Sequence, residues 1–184
     1  MESPPRKVAL VTASSAGLGA ATARAFASAG YSTIFNYFHN ADKANALVDD
    51  VLKAIGTSGN LTGDAGHTER QRCIAIKADL SRREEIQRLV EEAVRAMGRL
   101  DVVVSNQGWT QMRNFNEIED NVVEGDWDGC FNMNVKSHLW LFHSTKPHLQ
   151  DSKGSFVGVA SLAGVIPSGS SIVCCFRIWL LPVF

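Results

Sequence analysis

The residues from Thr12 to Gly19 have the types and the spacing of a phosphate-binding turn. They read Thr-Ala-Ser-Ser-Ala-Gly-Leu-Gly, and the backbone can approach a ligand closely at the two glycines because they carry no Cβ. The apolar run Val8 to Val11 predicts a buried strand before the turn, and an alanine-rich segment favours a helix after it. Bare N–H groups at a helix N-terminus bind phosphate well. A strand-to-helix turn without a ligand would use the same residue types, and a P-loop is not indicated because no Gly-Lys-Ser/Thr follows.

Polar residues also stand at the carboxyl ends of the other predicted strands. Asn36 ends the second strand, Asp79 follows the third, Asn106 and Gly108 follow the fourth, and Ser161 follows the fifth. Any one of them alone could be a turn or cap residue. Open parallel sheets bind ligands at the carboxyl ends of their strands, so we expect these residues to share one edge of a sheet.

The elements that must position these residues alternate regularly between strand and helix. A capping box of Ser81 and Glu84 predicts the start of the third helix, and Gly98 predicts its end. The alternation predicts an α/β fold, a doubly wound, Rossmann-like parallel sheet in three layers with strand order 3-2-1-4-5. The predicted strands are 7–11, 31–36, 73–78, 100–105 and 155–160, and the other predicted helices are 18–29, 41–55 and 126–149.

Bulk properties narrow the class of protein. A length of 184 residues suits one domain over residues 1–184, and a net charge of −1 gives no sign of a nucleic-acid partner. The sequence has no apolar run of signal-peptide type at its start and none long enough for a membrane span. Its four cysteines are scattered or adjacent, which favours free thiols and a cytoplasmic location. His138, His143 and His148 recur every five residues and would spread around a helix, so no metal site is predicted.

The motifs resemble those of the short-chain dehydrogenase/reductase family, over about residues 6 to 173. The similar stretches follow the family's order and fall on the expected elements. They are Thr12–Gly19 for the cofactor loop, with Ala13 in place of the first glycine; Ala78-Asp79-Leu80 for the adenine contact; Ser105-Asn-Gln-Gly108 after strand four; Phe131-Asn-Met-Asn-Val-Lys-Ser137 on helix four; and Gly154–Gly164 at strand five.

The resemblance implies hydride transfer between NAD(P) and a small-molecule alcohol or carbonyl. It assigns Ser161 to the substrate oxygen, Asn134 to support of the proton relay and Asp79 to the adenine. It also implies a homo-oligomer formed through helix four. The cofactor-binding residues that it implies are Thr12, Ser14, Ser15, Gly17, Leu18, Gly19, Asn36, Asp79, Leu80, Asn106 and Gly108.

The family's catalytic tyrosine and lysine are missing from this sequence. A lysine four residues after the tyrosine lowers the pKa of the phenol, which is otherwise near 10. Cys174 and Ile178 stand at those two positions. Residues 174–184 do not resemble the family's next helix, which predicts a chain truncated or frameshifted after Val173, with the family's last strands missing. Little or no turnover is therefore expected from this chain.

Two functions stay open at this stage. The first is an NAD(P)-dependent oxidoreductase of the short-chain type, impaired in this chain. The second is a non-catalytic nucleotide-binding or dimerising fragment. If a cofactor binds, the sequence favours NADP over NAD, because no Asp or Glu follows the second strand to hold the ribose hydroxyls. A nucleophile elbow is not indicated, because the glycines around Ser161 are each one position too far from it.

Overall fold

The central strand of the sheet is built from four consecutive apolar residues, all of them buried. In the computed structural model, which describes residues 5–57, 72–164 and 171–174, this strand is β1, Val8–Val11. A strand buried on both faces reads as a continuous apolar run. β1 pairs in parallel with the second strand on one side and with the fourth on the other.

The sheet has five parallel strands in the order β3-β2-β1-β4-β5, which confirms the predicted order and fold class. Each strand begins and ends within two residues of its predicted bounds. The remaining strands are β2 (Ser32–Tyr37), β3 (Cys73–Lys77), β4 (Val102–Ser105) and β5 (Ser155–Gly158).

Helices cover both faces of the sheet. One apolar cluster joins the sheet to α1 and α2, and the other joins it to α3 and α5. A π-helical turn, Asn132–Lys136, separates α4 from α5. The helices are α1 (Gly17–Ser28), α2 (Ala41–Thr57), α3 (Arg83–Met97), α4 (Glu124–Phe131) and α5 (Ser137–Ser152), with short 3₁₀ turns at Ile118–Asn121 and Leu162–Gly164.

Two predictions about the helices are wrong. The capping box does not form, because the Ser81 hydroxyl donates to the Asp79 carboxylate at 2.7 Å and α3 begins after Arg82, which makes no side-chain cap. The predicted single helix 126–149 is longer and is interrupted by the π turn. The end of α3 at Gly98 is confirmed, since Gly98 adopts the left-handed conformation with φ 77°.

The carboxylate of Asp101 anchors the start of β1. Its Oδ2 accepts the N–H of Val8 at 2.8 Å and the Nε–H of Arg99 at 2.8 Å.

β5 lies at the other side of β4 and is an edge strand among the described residues, with Val157 47% exposed. The predicted loop 56–72 and the predicted tail 174–184 fall mostly outside the described residues.

We expect Gly154→Ala to lower the free energy of unfolding by about 1–3 kcal/mol through overpacking. A Cβ on Gly154 would lie 2.3 Å from the Asp101 carbonyl oxygen and 2.8 Å from Leu149 Cδ2. The control is Gly125→Ala in the first turn of α4, where a Cβ would have nothing within 4 Å. This control should raise stability by up to about 1 kcal/mol. Equal urea midpoints for the two variants would contradict the packing seen at Gly154.

Candidate functional site: the carboxyl edge of the sheet

The turn between β1 and α1 is held by hydrogen bonds to the end of β2. The N–H of Ala13 donates to Asn36 Oδ1 at 2.9 Å, and the N–H of Ser14 donates to the Asn36 carbonyl at 2.9 Å. The Ser14 hydroxyl donates to the carbonyl of Val11 at 2.7 Å. Ala13 has φ 48°, a left-handed conformation that costs a non-glycine residue about 1–2 kcal/mol. The turn keeps the glycine conformation at this position although alanine replaces the glycine.

Gly19 is the residue that sets how tightly this turn closes. A Cβ at Gly19 would lie 2.5 Å from the carbonyl oxygen of Ala13, 2.6 Å from Asn106 Nδ2 and 2.9 Å from Ser14 Cα. Two of these neighbours are backbone atoms, so a Cβ here could be accommodated only by opening the turn. Of the other predicted residues of the turn, Gly17 has φ 55° and is exposed, Leu18 is 62% exposed and Ser15 is half-buried.

Thr12 and Asn106 join the loops that follow β1 and β4. The N–H of Asn106 donates to Thr12 Oγ1 at 2.8 Å, and Asn106 Nδ2 donates to the carbonyls of Thr12 and Ala13 at 3.2 and 3.3 Å. Thr12 is fully buried, whereas Gly108 is exposed. These contacts lie where the connections after two neighbouring strands run in opposite directions, from β1 towards β2 and from β4 towards β5, which is where open α/β sheets bind ligands.

Asn36 lies at the predicted edge, but its side chain is occupied within the protein. It is 1% exposed, and its Nδ2 lies 3.3 Å from the carbonyl of Ala78 and 3.4 Å from that of Ile76. β2 continues one residue further than predicted, so Tyr37 is the half-buried residue at its carboxyl end. Asn36 therefore ties β1, β2 and β3 together, and Tyr37 is the side chain at the strand end that the sequence reading missed.

Asp79 and Leu80 follow β3 at the same edge. Asp79 Oδ1 accepts both the N–H and the hydroxyl of Ser81, at 2.9 and 2.7 Å. Asp79 is half-buried and Leu80 is 5% exposed. The two neighbours thus differ: the carboxylate of Asp79 borders the edge, while the side chain of Leu80 belongs to the apolar core beneath α3.

Asn134 lies in the π turn and fixes the loop after β4. Its Oδ1 accepts the N–H of Trp109 at 2.6 Å, and its Nδ2 donates to the carbonyl of Trp109 at 2.6 Å and to Cys130 Sγ at 3.0 Å. Asn134 is 1% exposed. π turns inside helices are frequent at functional sites, and this one directs a buried amide onto the backbone next to Gly108.

Ser161 lies beyond the carboxyl end of β5 and is exposed. Its Oγ accepts the N–H of Ala163 at 3.2 Å. β5 pairs with β4 through Ser105 and Gly158, and the N–H of Val159 extends this pairing by donating to the Ser105 carbonyl at 2.9 Å. Ser161 thus stands on the segment that leaves the sheet at the same edge as the loop after β4.

The segment 171–174 docks beside Asn134. The N–H of Ile172 donates to Asn121 Oδ1 at 2.9 Å, and Cys130 Sγ lies 4.0 Å from the carbonyl of Val173. Val173 is 2% exposed. Cys174, for which the sequence resemblance predicts the position of the family's tyrosine, is half-buried and forms no disulfide bond. Ile178 lies outside the described residues.

A doubly wound sheet with a glycine turn at its switch point defines the class of Rossmann-like α/β proteins. A family model described as short chain dehydrogenase matches residues 7–173. The chain therefore belongs to the short-chain dehydrogenase family, whose members are oxidoreductases. The stretches of this chain that resemble the family's motifs include Thr12, Asp79 and Asn134, which lie at or next to this edge.

Curated relatives are reductases by name. Hydroxynaphthalene reductase-like protein Arp2 of Metarhizium brunneum is 35% identical over 157 residues, an alignment that covers 85% of this chain and 51% of that protein. Hydroxynaphthalene reductase arp2 of Aspergillus fumigatus is 34% identical over 157 residues, covering 85% of this chain and 50% of that protein. The chain thus spans about half the length of the curated relatives it matches.

Solved structures share the fold. A short-chain dehydrogenase/reductase from Serratia marcescens superposes with a TM-score of 0.78 at 28% identity, covering 96% of this chain and 64% of that one. The NADH-dependent reductase A1-R' complexed with NAD superposes with a TM-score of 0.78 at 24% identity, covering 96% of this chain and 69% of that one.

Among the described residues, no helix is long and apolar enough to cross a membrane and no group of three metal-ligating side chains occurs.

Proposed function

We propose that this chain binds a nicotinamide dinucleotide at the carboxyl edge of its sheet. The observation that carries this proposal is the closed turn at Gly19, where the space that a Cβ would need is taken by Ala13 and Asn106. Helix α1 begins directly at Gly17, and its N-cap Ala16 offers no side-chain hydrogen bond. The first N–H groups of a helix have no intrahelical partner, so those of α1 remain to bind a pyrophosphate.

Different residues at the edge would bind different parts of the cofactor. The turn Thr12–Gly19 would hold the pyrophosphate, Asp79 would contact the adenine, and Asn106 with Gly108 would contact the cofactor beside the turn. When bound, the reduced cofactor would supply a hydride to a carbonyl, and the oxidised cofactor would accept a hydride from an alcohol. Ser161 would bind the substrate oxygen, and Asn134 would hold the loop after β4 against the π turn. The names of the relatives make hydroxylated naphthalenes the first substrates to assay.

We propose further that NADP is preferred over NAD. The residues from Asn36 to His39, at and beyond the end of β2, include no Asp or Glu. A carboxylate at this place favours NAD by bonding to the ribose hydroxyls and by repelling a 2′-phosphate. The first turn of α2 carries Lys43 next to Asp42, both exposed, so it adds no net charge close to this strand end. The preference is modest, because Ala16 and Phe38 replace the basic residues that NADP-dependent members often carry.

A pair of substitutions at Tyr37 tests this preference. We expect Tyr37→Asp to weaken NADPH binding at least about tenfold relative to Tyr37→Asn, because juxtaposed like charges cost several kcal/mol. NADH binding should differ little between the two variants, or improve in the aspartate. Fluorescence titration of the wild type and both variants with each cofactor is the measurement. Clearly tighter NADH binding by the wild type would overturn the preference, and binding of neither cofactor would overturn the proposed function.

The proposal separates binding from turnover. The cofactor turn and Asn134 are in place, whereas Cys174 stands at the tyrosine position and a thiol there has no lysine at the fourth residue beyond it. This arrangement favours a chain that binds the dinucleotide and transfers hydride poorly. A purely non-catalytic nucleotide-binding or dimerising fragment is the second candidate, and the same observation supports it.

We also propose that the chain self-associates through the helix made of α4, the π turn and α5. Leu139 is 58% exposed and Phe142 is 36% exposed on α5, and burying apolar surface contributes about 25 cal/mol per Å². We expect a dimer by size-exclusion chromatography with light scattering, and a shift towards monomer in Leu139→Glu. The control is Met112→Glu, at an exposed apolar residue of the loop after β4 (72% exposed). A monodisperse wild-type monomer would contradict self-association.

A single domain over residues 1–184 and a cytoplasmic location complete the proposal. Within the described ranges, Cys73, Cys130 and Cys174 form no disulfide bond. Burial raises the pKa of the Cys73 thiol to about 11, so this thiol stays protonated near neutral pH and reacts poorly. Free, buried thiols of this kind suit a reducing compartment.

A further inference from the structure

Gln107 joins the cofactor turn to the π turn through buried polar groups. Its side chain is 4% exposed. Its Oε1 accepts the hydroxyl of Thr12 at 2.6 Å, and its Nε2 donates to the hydroxyl oxygen of Ser137 at 2.9 Å. Thr12 and Ser137 are both fully buried. One amide therefore bridges two elements that carry different parts of the proposed site.

The hydroxyl of Ser137 replaces a backbone hydrogen bond that is lost in the π turn. The N–H of Ser137 donates to the carbonyl of Asn132, five residues back. In a regular α-helix that N–H would donate to the carbonyl of Met133, four residues back. Instead, the hydroxyl of Ser137 donates to the Met133 carbonyl at 2.5 Å. Ser137 is thus part of what holds the helix in its π form beside Asn134.

These bonds also fix which way round the amide of Gln107 lies. The single hydroxyl proton of Ser137 goes to Met133, so its oxygen can only accept from Gln107. With Nε2 of Gln107 donating to Ser137, Oε1 faces Thr12 and accepts its hydroxyl, and Thr12 Oγ1 also accepts the N–H of Asn106 at 2.8 Å. Only the orientation with Nε2 towards Ser137 and Oε1 towards Thr12 satisfies both. The amide of Gln107 therefore cannot turn over without losing one of these hydrogen bonds.

We propose that Gln107 is a positioning residue that keeps the turn at Thr12 and the π turn at Asn134 in one fixed relation. Loss of the hydroxyl at Ser137 then loosens the cofactor turn, although Ser137 makes no contact with it. This inference rests on the proposed function for its effect on cofactor affinity. It also predicts a change in the cofactor-free chain, at the N–H of Asn106, which donates to Thr12.

The test compares two buried hydroxyls on α5. Ser137→Ala removes the bond to Gln107. The matched control, Thr145→Ala, removes a hydroxyl that is equally buried and donates to the carbonyl four residues back, Leu141, at 2.8 Å. We expect Ser137→Ala to weaken dinucleotide binding by roughly 2- to 30-fold, the range for substitutions along a coupled network. Thr145→Ala should leave the Kd unchanged, and Gln107→Ala should weaken binding with no further loss on adding Ser137→Ala.

Hydrogen exchange in the cofactor-free chain provides the second readout. The amide of Asn106 should exchange faster by a similar factor in Ser137→Ala and Gln107→Ala, and at the wild-type rate in Thr145→Ala. Unchanged exchange at Asn106 in the first two variants, or equal acceleration in all three, overturns the inference. Failure of the wild type to bind either cofactor overturns the proposed function instead, and the exchange rates then decide the inference alone.

Discussion

Replacing Gly19 with alanine is expected to weaken dinucleotide binding by roughly 10- to 100-fold or more. The new Cβ would lie 2.5 Å from the carbonyl oxygen of Ala13 and 2.9 Å from Ser14 Cα. The turn must open to relieve these contacts, which moves the N–H groups away from the phosphates. Each hydrogen bond to a charged group contributes about 1.5–3 kcal/mol, and 1.4 kcal/mol is a factor of ten in affinity.

The control for this substitution is again Gly125→Ala, since both glycines lie in the first turn of a helix and only Gly19 is crowded. Fluorescence titration with NADPH and NADH gives the affinities, and circular dichroism shows that both variants are folded. Binding by Gly19→Ala within about threefold of the wild type would show that the dinucleotide does not bind at this turn.

The second large effect concerns turnover. We expect kcat/KM for carbonyl reduction to be roughly 10²–10⁴-fold below that of the hydroxynaphthalene reductase of Aspergillus fumigatus, because this is the usual contribution of general acid–base catalysis. Cys174 and Ile178 cannot form the tyrosine–lysine pair. The measurement is the change in absorbance as the reduced cofactor is oxidised, with a hydroxylated naphthalene as the substrate.

Cys174→Ala shows whether the thiol takes part in any residual turnover. Cys174 is half-buried in a segment that docks against Asn121 and Cys130, so the substitution removes the thiol while most of the docking contacts remain. We expect residual turnover to be unchanged. Turnover by the wild type within about tenfold of the Aspergillus reductase would show that another group carries the proton, and a loss in Cys174→Ala would identify that group as the thiol.

The order of the strands could be predicted from sequence because local patterns decide it. Buried apolar runs such as Val8–Val11 and small or polar residues after each strand repeat with the regularity of βαβ units, whose connections have one hand. The turn at Thr12–Gly19 could be predicted for the same reason, since its residue types allow few backbone conformations. The family resemblance added roles for Asn134 and Ser161 that no local pattern contains.

Other features of the site could not be predicted from the sequence, because they depend on contacts between residues that are far apart along the chain. The sequence predicts that Asn36 contacts the cofactor, but it does not show that Asn36 lies one residue before the end of β2 with its amide buried against Ala13 and Ala78. A shift of one residue in a strand turns a side chain to the opposite face. Ser81 was expected to cap α3, yet Asp79 competes for its hydroxyl. Gln107 carried no local sign of its role, because Ser137 is 30 residues away along the chain.

The bond between Asn106 and Thr12 has a consequence for the synthesis of the protein. The two residues are 94 positions apart, and β1 pairs with β4 as well as β2. Ribosomes add about 5–20 residues per second, so roughly 5–20 s pass after Thr12 is made before its partner exists. Until then the nascent chain holds the glycine turn without the loop that closes it. We therefore expect the first half of the nascent chain to leave one edge of β1 unpaired during this time. It should bind a dinucleotide only after β4 has emerged.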